Sequence, residues 1–328
     1  MVNLETNYLG LKLRNPIIVS SSGLTNSVEK IGKLVEAGAG AVVLKSLFEE
    51  QINYEISHSI KEGEGFDYPE AVDYIKEYTK ENNINEYLSL IKETKAAYDI
   101  PVIASINCFS TGEWVEFARK MEAAGADAIE LNVYVLNTDK KSKSDEYEQI
   151  YYDILSDVKK EVSIPVVMKL GFYFCNIVKV INMLSGLGAK GVVLFNRFYE
   201  PDIDIHKMQI TTAEVFSSSS DLRRTLRWIA IASDRVKDVD ISASTGIHSG
   251  EAVVKVLLAG ASTAQVCSAV YKNGPGVITS MLNDLTAWME EKGYDSIESF
   301  KGIMNYGKIG NPALYERSQF MKYFSSLE

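Results

Sequence analysis

Eight short apolar runs punctuate this chain, and their order constrains the fold more than any other feature. Four begin at a Gly-Ala pair: Gly38-Ala-Gly-Ala-Val-Val-Leu, Gly125-Ala-Asp-Ala-Ile-Glu-Leu, Gly188-Ala-Lys-Gly-Val-Val-Leu and Gly260-Ala-Ser-Thr-Ala-Gln-Val. Three others follow a proline, Pro16-Ile-Ile-Val-Ser, Pro101-Val-Ile-Ala-Ser and Pro165-Val-Val-Met-Lys, and the last is Val239-Asp-Ile-Ser-Ala. The two kinds alternate along the chain. A glycine closing a helix supplies a left-handed cap. A proline at a strand entrance sets the preceding residue extended and gives up an N–H that needs no partner there. Runs this short, β-branched and apolar at both parities read as strands covered on both faces.

Amphipathic segments fill the gaps. Ser27–Ala37 opens on a capping serine and carries Val28, Ile31, Leu34 and Val35 at helical spacing. Segments 111–124, 145–162, 176–187, 220–235, 250–259 and 275–292 behave alike. Eight strands alternating with helices predict a (β/α)8 TIM barrel; an open doubly wound sheet is the alternative. Val2–Arg14 reads as an N-terminal hairpin plugging the barrel's bottom. Glu49–Asn85 reads as a long active-site loop inserted after the second strand, with His58, Gly63–Gly65 and Tyr68-Pro69 within it. Arg197–Ser219 is a shorter insertion, and the tail from Tyr294 carries Phe300, Tyr306, Tyr315, Phe320 and Phe324 as anchors. No linker divides the chain, so residues 1–328 are expected to form one domain.

Composition removes several classes of function. A net charge of −10 argues against nucleic acid or an anionic membrane as partner. Three scattered cysteines, Cys108, Cys175 and Cys267, give neither a disulfide framework nor a metal spacing, which suits a reducing cytoplasm. The first residues lack the pattern of a signal peptide, and no apolar run is long enough to span a membrane.

A barrel gathers its strand ends around one mouth. Here these ends are Ser20-Ser21-Ser22, Lys45-Ser46, Ser105-Ile-Asn107, Asn132, Lys169, Asn196, Ser244-Thr245-Gly246 and Cys267-Ser268. Lysines, asparagines and hydroxyls dominate; Glu130 is the lone carboxylate, so neither a metal site nor a carboxylate pair is expected. The small residues at the last two ends fit a phosphate cradle, in which backbone N–H groups approach the ligand closely.

These residues resemble the dihydroorotate dehydrogenases and the related flavin domain of dihydropyrimidine dehydrogenase. The likeness runs over nearly the whole chain, through Leu9-Gly-Leu-Lys-Leu-Arg-Asn-Pro-Ile-Ile-Val-Ser-Ser-Ser-Gly, Val43-Leu-Lys-Ser, Glu130-Leu-Asn132 with Asn137, Val167-Met-Lys169-Leu, Asn196, Ser244-Thr-Gly-Ile and Asp295-Ser-Ile-Glu-Ser-Phe-Lys-Gly302. The resemblance implies FMN at the mouth and hydride transfer between flavin and a dihydropyrimidine. It implies cofactor contacts from Ser21, Lys45, Ser46, Asn132, Lys169, Ser244, Thr245, Gly246, Cys267 and Ser268. Lys169 would meet the pyrimidine edge of the flavin, where a cation stabilises the reduced ring. Substrate would meet Asn132, Asn137 and Asn196, with Lys45, Asn132 and Asn137 in catalytic positions. A soluble homodimer is implied as well.

The likeness breaks in the substrate half. The family carries a Cys or Ser base where this chain has Val135, and valine cannot take a proton. Tyr134 is adjacent, but neighbours on an extended segment point apart. The family's substrate loop after the second strand is replaced by Ile56-Ser-His58-Ser and Phe66-Asp-Tyr-Pro, and a glycine pair by Ser217–Ser220. Two other readings stay open: a barrel in which Lys169 or Lys45 forms a Schiff base, and a flavin carrier without catalysis.

Overall fold

The computed structural model describes residues 2–62, 69–108, 111–198 and 200–316. Eight parallel strands close on themselves: β1 (Ile17–Val19), β2 (Ala41–Val43), β3 (Val102–Asn107), β4 (Ala128–Asn132), β5 (Val166–Leu170), β6 (Gly191–Leu194), β7 (Asp240–Ser244) and β8 (Thr263–Val266). Each pairs with its sequence neighbour, and β8 returns to β1 with Ala264 opposite Ile17. The fold is a (β/α)8 barrel. A further pair of residues, Leu47–Phe48, extends the sheet beside the end of β3.

The helices are α1 (Val28–Glu36), α2 (Glu49–Glu62), α3 (Pro69–Ala97), α4 (Thr111–Ala123), α5 (Ser144–Glu161), α6 (Ile177–Gly186), α7 (Leu222–Arg235), α8 (Gly250–Ala259), α9 (Ser268–Asn273), α10 (Gly276–Lys292) and α11 (Ala313–Glu316). Their limits follow the capping chemistry. Ser27, Asn176 and Ser249 each accept a bond from a first-turn N–H of α1, α6 and α8. The four glycines of the Gly-Ala pairs all take φ between 96° and 112°, the left-handed stop that glycine adopts without strain.

Two apolar clusters result. The larger lies between strands and helices. The smaller fills the barrel's lower interior, where Tyr8, Leu9 and Leu13 meet Ile18, Val43, Ile103, Val167 and Val193. Tyr8 and Leu13 belong to the N-terminal hairpin, Thr6–Tyr8 with Leu11–Leu13, which plugs the bottom as its alternation predicts. Leu9, at the turn, has φ 57° and donates its N–H to Asp240 at 2.7 Å. Gly191 leaves room for it, since a Cβ there would collide with the Leu9 side chain.

Two insertions differ from the expected loops. The segment after β2 is helical: α2 and α3 stand where a loop was expected over Glu49–Asn85, and Pro69 opens α3. Proline suits a first helical turn, where its missing N–H has no helical partner. The turn Gly63–Gly65 and Tyr68 lie outside the described residues. After β6, a hairpin pairs Pro201–Asp204 with Gln209–Thr212 and exposes Ile203, Ile205, Met208 and Ile210. In the tail, buried Phe300 packs on Trp288 and Tyr294, and Arg235 lies over the Tyr306 ring; Phe320 and Phe324 are outside the described residues.

Candidate active site

Lys169 is the centre of the barrel mouth. It ends β5 on the barrel's inner side and is 5% exposed. A lysine so deep must be matched by fixed partners. Its Nζ donates to Ser20 Oγ at 3.1 Å, Glu130 at 3.2 Å and Gln265 Oε1 at 3.5 Å. Gln265 in turn donates to the other Glu130 oxygen at 2.9 Å, and Ser20 donates to Gln265 at 3.1 Å. Glu130 is fully buried. It is thus the counter-ion of Lys169, a role legible in the sequence as a charge inside an apolar run. Gln265 carried the same signal in Thr263-Ala-Gln-Val, and its partnership with Lys169 was not anticipated.

Above this network lies a cavity of about 630 Å³, counting the space open to solvent. Ser21, Lys169, Asn196, Ser244, Thr245, Gly246, Cys267 and Ser268 line it, so eight of the residues singled out in the sequence meet here. The β7 loop is shaped by necessity. Thr245 and Gly246 take φ 77° and 84°, and a Cβ on Gly246 would sit inside the backbone of Leu222. A threonine in the left-handed region costs about 1–3 kcal/mol, and the Thr245 hydroxyl holds it there by donating to Phe195 O at 2.9 Å. The far wall is Ser217, whose N–H donates to Ser268 Oγ at 3.0 Å and whose hydroxyl meets His248 Nε2 at 3.0 Å. Lys272 donates to Ser217 O at 3.1 Å. Burial and the Lys272 charge hold the His248 imidazole below its ordinary value. Burial raises the Cys267 thiol, which keeps it protonated.

Lys45 and Ser46 line an adjoining cavity against α2 and α3, with Asn26, Gln51, Asn83 and Tyr87. Lys45 Nζ reaches Gln51 Oε1 at 3.4 Å. Ser46 joins the two cavities, its hydroxyl 3.0 Å from Ser21 and 2.7 Å from Ser105. Asn132 is buried at the end of β4 and accepts from Asn196 Nδ2 at 2.6 Å. Asn137 is exposed, five residues beyond the strand, and is not gathered with them. His58, on α2, lies near the Tyr54 ring on the outer helical layer. Burial pushes the Cys108 thiol up, and that side chain is part of the core. Among the described residues no group of three or more His, Cys, Asp or Glu gathers as a metal site would require.

The family model for dihydroorotate dehydrogenase matches residues 3–289. The chain belongs to the dihydroorotate dehydrogenase family. It is 28% identical over 316 residues to the catalytic subunit of dihydroorotate dehydrogenase B (NAD(+)) from Thermoplasma volcanium, covering 92% of this chain and 99% of that one. It is 26% identical over 299 residues to the namesake subunit from Methanocaldococcus jannaschii, covering 88% and 94%. Against the dihydropyrimidine dehydrogenase subunit PreA of Escherichia coli it is 26% identical over 324 residues, covering 92% and 77%. The family sets the enzyme class, a flavin oxidoreductase acting on CH–CH bonds.

Proposed function

We propose that the protein binds FMN in the cavity above Lys169 and transfers hydride between it and a small planar ring, at a carbon–carbon bond next to a carbonyl. The observation that carries this reading is Lys169, a buried cation whose three N–H donors face the mouth's interior network beside a glycine-shaped loop. Ser244, Thr245, Gly246 and Ser268 would hold the phosphate, with Ser21 and Lys169 along the ring. Cys267 and Ser46 flank the same space, and Asn132 at the end of β4 adjoins it. Bound FMN supplies the hydride acceptor or donor; a cation near its pyrimidine edge favours the reduced form. The residues themselves orient the ring and exclude water.

Dihydroorotate oxidation in pyrimidine biosynthesis is the reaction named for the family. In the substrate half, Asn132 and Asn196 are poised for an amide edge, while Lys45 faces Gln51 in the adjoining cavity and Asn137 is exposed beyond the strand. Val135 sits where the family's base would be, so dihydroorotate oxidation should be slow. Val135→Cys should raise that rate in an anaerobic flavin-bleaching assay; an unchanged rate would place the defect in the remodelled segment of α2 and α3. A Schiff-base role for Lys169 is disfavoured because Glu130, 3.2 Å from its Nζ, holds the amine in an ion pair.

Several relatives are named as subunits, which supports a protein partner for electron exchange. The exposed hairpin after β6 supports self-association into a homodimer as well: its two strands have open edges, and such a hairpin is marginal alone in water. Among the described residues no helix is long and apolar enough to cross a membrane. The unpaired cysteines suit a cytoplasmic setting.

A further inference from the structure

The chain leaving β4 carries an aromatic ring, Tyr134, two residues beyond Asn132, as the chain leaving β6 carries Phe198 two beyond Asn196. Residues two apart on extended chain share a face. The pairs meet rung by rung: Asn196 donates to Asn132 at 2.6 Å, and the Tyr134 and Phe198 rings lie 4.0 Å apart, tilted by 33°. The inner rung presents amides to the cavity that Asn196 lines. The outer rung stands one step towards solvent at the same mouth.

The end of β5 lies between these two chains and is built to admit the outer rung. A Cβ on Gly171 would meet the far end of the Phe198 ring, so glycine lets that ring lie where it does without a shift. Tyr173, two residues on, stacks against Phe198 at 6.0 Å and 21°. Phe172 continues the layer at 4.3 Å from Tyr173, and Arg224 caps Phe172 at 4.0 Å. Tyr134 and Tyr173 remain 44% and 45% exposed, a large aromatic area left open at the rim of a site.

Resting on the flavin reading above, we infer that Tyr134, Phe198 and Tyr173 are the specificity-determining residues of the mouth, an aromatic face that selects a flat conjugated ring with an amide edge over its saturated counterpart. The Asn132–Asn196 rung takes the amide edge. The ring rung favours a π face, because aromatic faces gain from offset stacking and a puckered saturated ring cannot lie flat on them. The role is one of recognition, since the stack needs no tyrosyl proton.

The test uses the full chain with FMN bound, and two probe pairs that share an edge and differ in saturation: uracil with dihydrouracil, and orotate with dihydroorotate. Affinities are read by calorimetry, without turnover. In at least one pair the planar member should bind about tenfold more tightly. Tyr134→Leu and Phe198→Leu should each bring that ratio towards one while leaving FMN affinity unchanged. Tyr134→Phe should keep it, since the ring remains. Equal affinities in the unaltered protein, no binding of any planar probe, or leucine variants that keep the ratio would overturn the inference. Loss of the ratio in Tyr134→Phe would assign the effect to the hydroxyl and equally overturn it. Failure to bind FMN is a separate readout and would remove the flavin reading on which the inference rests.

Discussion

Lys169 and Glu130 show how much of this site's chemistry also bears on stability. Both side chains are buried, at 6% and 0% exposure, and they are 3.2 Å apart. Removing one partner leaves the other's charge uncompensated, at a cost of about 3–5 kcal/mol. Lys169→Met should therefore lower stability by about that amount in denaturant unfolding, as well as weaken FMN binding. The double variant Lys169→Met/Glu130→Gln should recover most of the stability and none of the FMN affinity, which separates folding from function. His248 gives a pH dependence of definite sign. Its folded value lies below its unfolded value, so the unfolded chain takes up the proton first as pH falls. The contribution of His248 is complete above the unfolded histidine value and is lost as pH drops through that value towards the folded one. His248→Gln should remove that part of the pH dependence in denaturant unfolding followed across a pH series.

At the scale of elements, the barrel was legible because each strand and helix announces itself locally. The Gly-Ala pairs stop helices through backbone geometry alone, and all four glycines have the positive φ that this reading demands. Lys169, Thr245, Gly246 and Ser268 were legible as strand ends, and the closed barrel necessarily brings them to one mouth. What depended on packing between loops was not legible. The α2–α3 pair is rich in polar residues, and its place depends on contacts with the barrel, such as Tyr87 gripping the Ser105 backbone of β3. Lys45 shares a strand-end motif with Ser46, yet its side chain turns towards Gln51 in the adjoining cavity. The ring layer of Tyr134, Phe198 and Tyr173 joins three loops far apart in sequence, and no local period encodes it. The hairpin after β6 carries its own prediction. Its exposed cross-strand pair Ile203–Ile210 should mark a self-association surface. Ile203→Asp/Ile210→Asp should shift the protein from dimer to monomer in light scattering, with an unchanged melting profile for the barrel at low protein concentration. A dimer that persists would move the interface elsewhere.

For the whole molecule, the barrel is a frame carrying two differently built halves of the proposed site. The half built on β5, β7 and β8 keeps a buried cation, hydroxyls and a glycine-shaped cradle. The half formed by the chain after β4 and the insertion after β2 carries Val135, the Tyr134 ring and two helices. Both rest on the claim that a flavin sits above Lys169. The most direct test is the absorption spectrum of the freshly purified protein, and of the same protein after incubation with FMN and gel filtration. A retained flavin spectrum, lost in Lys169→Met/Glu130→Gln although that variant stays folded, is the predicted result. A folded, unaltered protein that elutes without flavin even after incubation would contradict it.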